Sequence, residues 1–235
     1  MSHTKEHHSS GFSTYIKDLV YGANDGIITT FAVVTGTIGA GLDSKIVIIL
    51  GIANLLADGF SMGASNFLGQ RSENALYRKE EKREYDEVDS IPQVEKKEVY
   101  DALISHGFAD AEATTLTEMI SHNRDFWVDF MMKYELGMPA PEHGDEWKGA
   151  VMTVLAFVIA GSVPLLSFMF EFMSQHMFLY SCIATAIVLF VVGSIRCIIT
   201  HSSWWKSGLE MLLVGGIAAC VSYGVGYIVS TVAGI

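Results

Sequence analysis

Five apolar stretches divide this 235-residue chain: roughly Gly26–Leu42, Ile46–Gly69, Gly149–Phe170, Met177–Ile195 and Gly208–Ile235. A helix needs about 20 predominantly apolar residues to cross the hydrocarbon of a bilayer, within a range of about 17–25. Each stretch reaches that range, and none carries the polar stripe that a helix on a soluble core shows to water. With half of all residues hydrophobic, the pattern predicts an all-α integral membrane protein with five transmembrane helices. Pro164 in the third is compatible with a bundle, where neighbouring helices satisfy the carbonyl that a proline frees.

Charge is distributed as unevenly as hydrophobicity. The segment Glu73–Lys148 holds 19 Asp/Glu against 9 Lys/Arg, a net −10 of the chain's −11. An acidic block of this kind excludes nucleic acid as a partner, since phosphate binding needs clustered Lys/Arg, and suits a cationic ligand. The sequence therefore divides into a polar N-terminal segment (1–17), two spans (18–70), an acidic helical insert (71–148) and three further spans (149–235). Three helices are expected in the insert. The first covers about Ser72–Val88. The second starts where Ser90 and Gln93 match a capping box with Pro92 in the first turn, and it stops at His106-Gly107. The third covers about Asp110–Glu135 and is ended by Gly137 and Pro139.

With five spans, Lys5, Lys17, Arg71, Arg78, Lys79, Lys148, Arg196 and Lys206 fall on one side of the membrane and Lys45 on the other. The positive-inside rule places the N-terminus and the insert in the cytoplasm. Trp204, Trp205 and Lys206 suit the membrane–water interface. Met1 to Tyr15 is polar and His-rich, without the apolar core of a secretory signal, so none is expected. His3, His7 and His8 read as part of a polar terminus. Cys182, Cys197 and Cys220 have no CxxC spacing and read as small buried hydrophobes.

Two sets of residues can carry chemistry. In the insert, Glu84/Glu87 and Glu95/Glu98 stand three apart, so each pair shares a helix face. Met131, Met132 and Glu135 add two thioethers and a carboxylate. Carboxylates alone suit Mg²⁺, Ca²⁺ or Mn²⁺, and thioether sulfur shifts the preference toward softer ions such as Fe²⁺. Spacing alone equally fits a solvated face whose glutamates pair with Lys82, Arg83 and Lys97, and methionines that simply pack a core. In the spans, Asp25 follows the polar string Tyr21-Gly22-Ala23-Asn24, and Asn54, Asp58 and Met62 recur at i, i+4 and i+8 on one helix face. An ionisable side chain at mid-membrane costs about 2.5–3.5 kcal/mol, so such groups tend to line ion pathways.

The string Tyr21-Gly22-Ala23-Asn24-Asp25-Gly26, the later Ser61-Met62 and the polar insert after the second span resemble the vacuolar iron transporter family, from about Ile16 to Ile235. The resemblance implies a homodimeric transporter, not an enzyme, exchanging Fe²⁺ for protons, with Mn²⁺, Co²⁺ or Zn²⁺ as further cargo and no permanently bound cofactor. It implies that Asp25 and Met62 line the pathway; the spacing on the second span adds Asp58 and Asn54, which share the face of Met62, as further pathway candidates. It also implies that the cytoplasmic insert binds metal through Glu84, Glu87, Glu95, Glu98, Met131, Met132 and Glu135. Two positions depart from the family pattern: Asp58 stands where a small residue is expected, and Asn66 where a glutamate is expected. The membrane would be the plasma membrane in a prokaryote and the vacuolar membrane in a eukaryote. The competing reading is a membrane-anchored ferritin-like protein that binds or oxidises iron. Such proteins use Glu-x-x-His pairs, whereas the insert has Glu118 and His122 at i+4.

Overall fold

The computed structural model describes residues 13–141, 146–169, 176–197 and 203–234. His3, His7, His8 and His201 lie outside them. The described residues form eight helices and no strand: α1 (Ser13–Gly39), α2 (Ser44–Ser90), α3 (Pro92–Ser105), α4 (Asp110–Ser121), α5 (Arg124–Tyr134), α6 (Glu146–Met169), α7 (Met177–Ile195) and α8 (Trp204–Ala233). They fall into two compact units, one of residues 1–67 and 144–235, the other Leu68–His143.

Four helices, α2, α6, α7 and α8, are long and apolar enough to cross a membrane. Their outward faces are apolar: Ile49, Phe60, Ile159, Ile217 and Val232 are all exposed. An apolar exterior of this extent fits lipid rather than water. The chain is an α-helical integral membrane protein. α1 falls short of the same apolarity because Asn24, Asp25 and several threonines interrupt it, and packing explains how it carries them. α1 packs against α6, α7 and α8, so several of its polar groups meet protein. Thr29, Thr35 and Thr37 return their hydroxyls to the carbonyls of Asp25, Phe31 and Val33.

Small residues set how close these helices come. A Cβ at Gly22 or Gly26 would lie 2.5 Å from the Thr153 carbonyl oxygen or 2.4 Å from that of Phe157, so α1 and α6 meet backbone to backbone. Further along α1, Gly39 lies against the Tyr223 backbone, and Gly226 of α8 against the backbone of Gly36. Contacts of this kind replace the hydrophobic drive that lipid cannot supply between spans. At Pro164 the α7 residue Ser181 donates to the proline's own carbonyl at 2.7 Å, an interhelical bond at the kink-prone position. Arg196, just after α7, pairs with Glu210 of α8 at 3.6 Å.

The acidic unit differs from expectation in three respects. Its first helix is not separate, because α2 runs unbroken from Ser44 to Ser90. The capping box at Ser90 and Gln93 does not form. Ile91 takes the cap position, and the Ser90 hydroxyl donates instead to Asp86 O, one turn back. The expected third helix is two. α4 stops at Ser121, and Asn123, in an extended conformation, accepts from the Phe126 N–H at 3.1 Å and starts α5. Asn is among the strongest N-caps, because its side chain satisfies one of the four free N–H groups of a first turn. Gly107 and Gly137 do end helices, at φ +93° and +65°, where a side chain would be strained. The unit's core is Val88, Val99, Leu103, Ala113, Ile120, Trp127, Val128, Met131 and Met132.

Candidate metal sites

In the membrane unit, α1 and α2 run antiparallel, and their polar residues face one another. Asn66 donates through Nδ2 to Asp18 Oδ1 at 3.0 Å and to Thr153 Oγ1 of α6 at 2.8 Å. Two turns further along, Asp25 and Asp58 are half-buried and close enough to interact electrostatically. Met62 lies on the same α2 face and packs beside the cluster of Leu55 and Phe157. Asn54, one turn beyond Asp58, has a buried Nδ2 with no partner, and Asn24 has a buried Oδ1 in the same condition. Buried amide groups of this kind are usually satisfied, which sets these two apart. The structure thus brings Asp25, Asp58, Asn54 and Met62 to the inward side of their helices and adds Asp18 to them. Asp18 precedes Asp25 by seven residues, two helical turns, and that spacing was its only signal in the sequence. Asn66, in place of the expected glutamate, supplies donors, which a carboxylate lacks.

In the acidic unit, α2 supplies Glu84 and Glu87, α3 supplies Glu95 and Glu98, and α5 with its C-terminal residue supplies Met131, Met132 and Glu135. The glutamates are not a solvated face: Glu84 is 1% exposed and Glu95 2%. One oxygen of each, Oε2, is buried without a hydrogen-bond partner. All five carboxylates interact. Burial, then Glu87, raises the Glu84 carboxyl above the usual range, although Arg83 opposes it. Burial, then Glu98 and Glu84, pushes Glu95 up to about 7. Glu135 is exposed as a residue, yet desolvation of its carboxyl, with Glu98 and Glu84 nearby, also brings it to about 7. Groups in this condition hold protons near neutrality. Met131 and Met132 are fully buried in the core that also includes Val88 and Val99, on the helices that carry the glutamates. Packing is therefore part of their role.

Among the described residues, no three His, Cys, Asp or Glu converge to hold an ion. A cation already stands among the carboxylates. Arg83 reaches Glu80 at 2.7 Å, Glu87 at 3.3 Å and Glu84 at 3.5 Å. Of the other cations considered on this face, Lys82 and Lys97 are exposed. Glu118 belongs elsewhere: it pairs with Lys96 at 2.8 Å and is exposed, which leaves no Glu–His di-iron arrangement with His122.

The VIT family model matches residues 16–227. A vacuolar iron transporter of Centaurea cyanus is 33% identical over 94% of this chain and 89% of its own length. Vacuolar iron transporter 1 of Arabidopsis thaliana is 31% identical over 94% and 88%. A vacuolar iron transporter of Toxoplasma gondii is 32% identical over 98% of this chain and 79% of its own.

Proposed function

Because the chain belongs to the VIT family, we propose that it transports divalent iron out of the cytoplasm in exchange for protons. The observation that carries the reading is the pairing of a carboxylate seam between two long helices with a second, proton-holding carboxylate cluster. The relatives are named as transporters, which favours transport over the ferritin-like alternative; so does the engagement of Glu118 by Lys96.

In this reading α1 is a fifth span, partly shielded from lipid by its neighbours, and the acidic unit and the N-terminus lie in the cytoplasm. Glu84, Glu87, Glu95, Glu98 and Glu135, with a thioether from Met131 or Met132, gather Fe²⁺ from a dilute pool, helped by the local negative potential. The ion then passes to Asp25, Asp58 and Met62, with Asp18 and Asn54 on either side of them along the seam. Metal and protons compete for the same carboxylate oxygens, so loading an ion releases protons, and protons arriving from the far side release the ion. Asp25 and Asp58 remain partly exposed in a single chain. Hydrocarbon is a poor neighbour for them, and a second copy covering the seam, as a homodimer, removes that exposure. Mn²⁺, Co²⁺ and Zn²⁺ are further cargo for an oxygen-rich site with one soft donor.

The test is Fe²⁺ uptake into proteoliposomes with an imposed pH gradient. Uptake should follow the gradient and be lost in Asp25→Ala. Uptake indifferent to the gradient would overturn proton exchange, and uptake intact in Asp25→Ala would overturn the pathway.

A further inference from the structure

We propose that Arg83 is a built-in competitor of the metal: it occupies Glu84 and Glu87 when no ion is bound and withdraws onto Glu80 when a divalent ion arrives. The inference rests on the metal-gathering reading of the acidic unit. Its geometry is specific. Three nitrogens of one guanidinium address three carboxylates: Nη1 to Glu80 Oε2 at 2.7 Å, Nε to Glu87 Oε2 at 3.3 Å and Nη2 to Glu84 Oε1 at 3.5 Å. Two of the three are residues that would ligate metal, and the third is not.

The contacts are also unequal. The shortest is to Glu80, whose side chain is 14% exposed, so this anchor is sheltered. The Arg83 side chain is 52% exposed and free to turn outward. The contacts to Glu84 and Glu87 are longer and yield first. Glu84 is only half engaged, since its Oε2 is buried without a partner. An incoming divalent ion would take that oxygen first, then draw in Glu87, and its charge would repel the guanidinium. Arg83 retains Glu80 throughout, so no cation is left unpaired. A guanidinium stays charged at every accessible pH, so this competition persists where protons have already left the carboxylates. Its consequence is a site that collects metal without trapping it.

Anaerobic calorimetry with Fe²⁺ on the full-length protein in lipid nanodiscs tests this. Exposed ion pairs are individually weak, so Arg83→Gln should tighten binding by about 2- to 5-fold. Arg83→Lys, a point charge without the fork, should fall between Arg83→Gln and the wild type. Lys82→Gln removes the same charge one residue away and should change affinity less than Arg83→Gln. Glu80→Gln should weaken binding in the wild type and have no effect in the Arg83→Gln background, since interacting groups are non-additive. Tightening separates competition from structural damage, which would weaken binding. Unchanged or weaker binding in Arg83→Gln, or equal tightening in Lys82→Gln, would overturn the proposal. A flat titration of the wild type would instead overturn the metal-gathering reading on which it rests, and this inference with it.

Discussion

The membrane unit and the acidic unit both bury polar groups, and they do so by opposite means. In the membrane unit helices touch through bare backbone at Gly22, Gly26, Gly39 and Gly226, and threonine hydroxyls return to their own helix. In the acidic unit packing is by large side chains, Trp127, Met131 and Met132, and a Cβ at its turn glycines Gly107 and Gly137 would meet open space. What it buries is charge that protons can neutralise. A backbone seam fixes geometry, and a carboxylate cluster beside a core fixes a charge state that its surroundings can change.

The largest effect that would break this division is on transport. Asp25→Ala should lower proton-driven Fe²⁺ uptake at least about tenfold while leaving Fe²⁺ titration of the acidic unit as in the wild type, a split expected when only the transport interaction is removed. Loss of both together would show that the two units are one site. Next in size is the seam. Gly26→Val sets a side chain 2.4 Å from a backbone oxygen and should cost on the order of 1–3 kcal/mol or more. That loss would appear as a lower thermal midpoint in detergent. Gly216→Val, at a position with nothing within 4 Å, should leave the midpoint nearly unchanged.

The third prediction concerns pH. Glu95 and Glu135 titrate at about 7 in the folded protein, above the ordinary carboxylate value near 4.5. Between those values the folded state holds more protons than the unfolded one, so stability falls as pH rises through the window. Hydrogen exchange of residues 92–134 in metal-free protein, corrected for intrinsic rates, should show more protection at pH 5 than at pH 8. Glu95→Gln should flatten the difference. Fe²⁺ affinity should move the opposite way and weaken as pH falls below 7. The smallest effect is local: Asn123→Ala removes the cap of α5 and should cost about 1 kcal/mol, read as lower protection of Phe126 and its neighbours.

Much of the membrane unit was legible in the sequence, because lipid imposes length and apolarity on any helix that crosses it. The acidic unit was less so. Spacing put Glu84 and Glu87 on one face but could not say whether that face met water, and Arg83 read as one more surface partner. Burial depends on where α3 and α5 pack, which no local pattern encodes. The break at Asn123 was written in a capping residue inside an otherwise helical run. Ser90 carried an equally plausible signal that lost to Pro92 at the start of α3 and to the Asp86 carbonyl one turn back. Asp18 escaped notice because a carboxylate near a membrane boundary is ordinary, and only its bond to Asn66 sets it apart.

The glycine contacts of α1 also bear on mechanics. α1 meets α6 along one half and α8 along the other, with backbone against backbone at each place, so sliding or turning it there would drive backbone into backbone. The glycines of α2 chiefly meet side chains, Gly51 the Leu165 methyls and Gly59 the Phe157 ring, and side chains can change rotamer where backbone cannot. On α1 the close contacts are with backbone, and on α2 they are chiefly with side chains that another rotamer can remake.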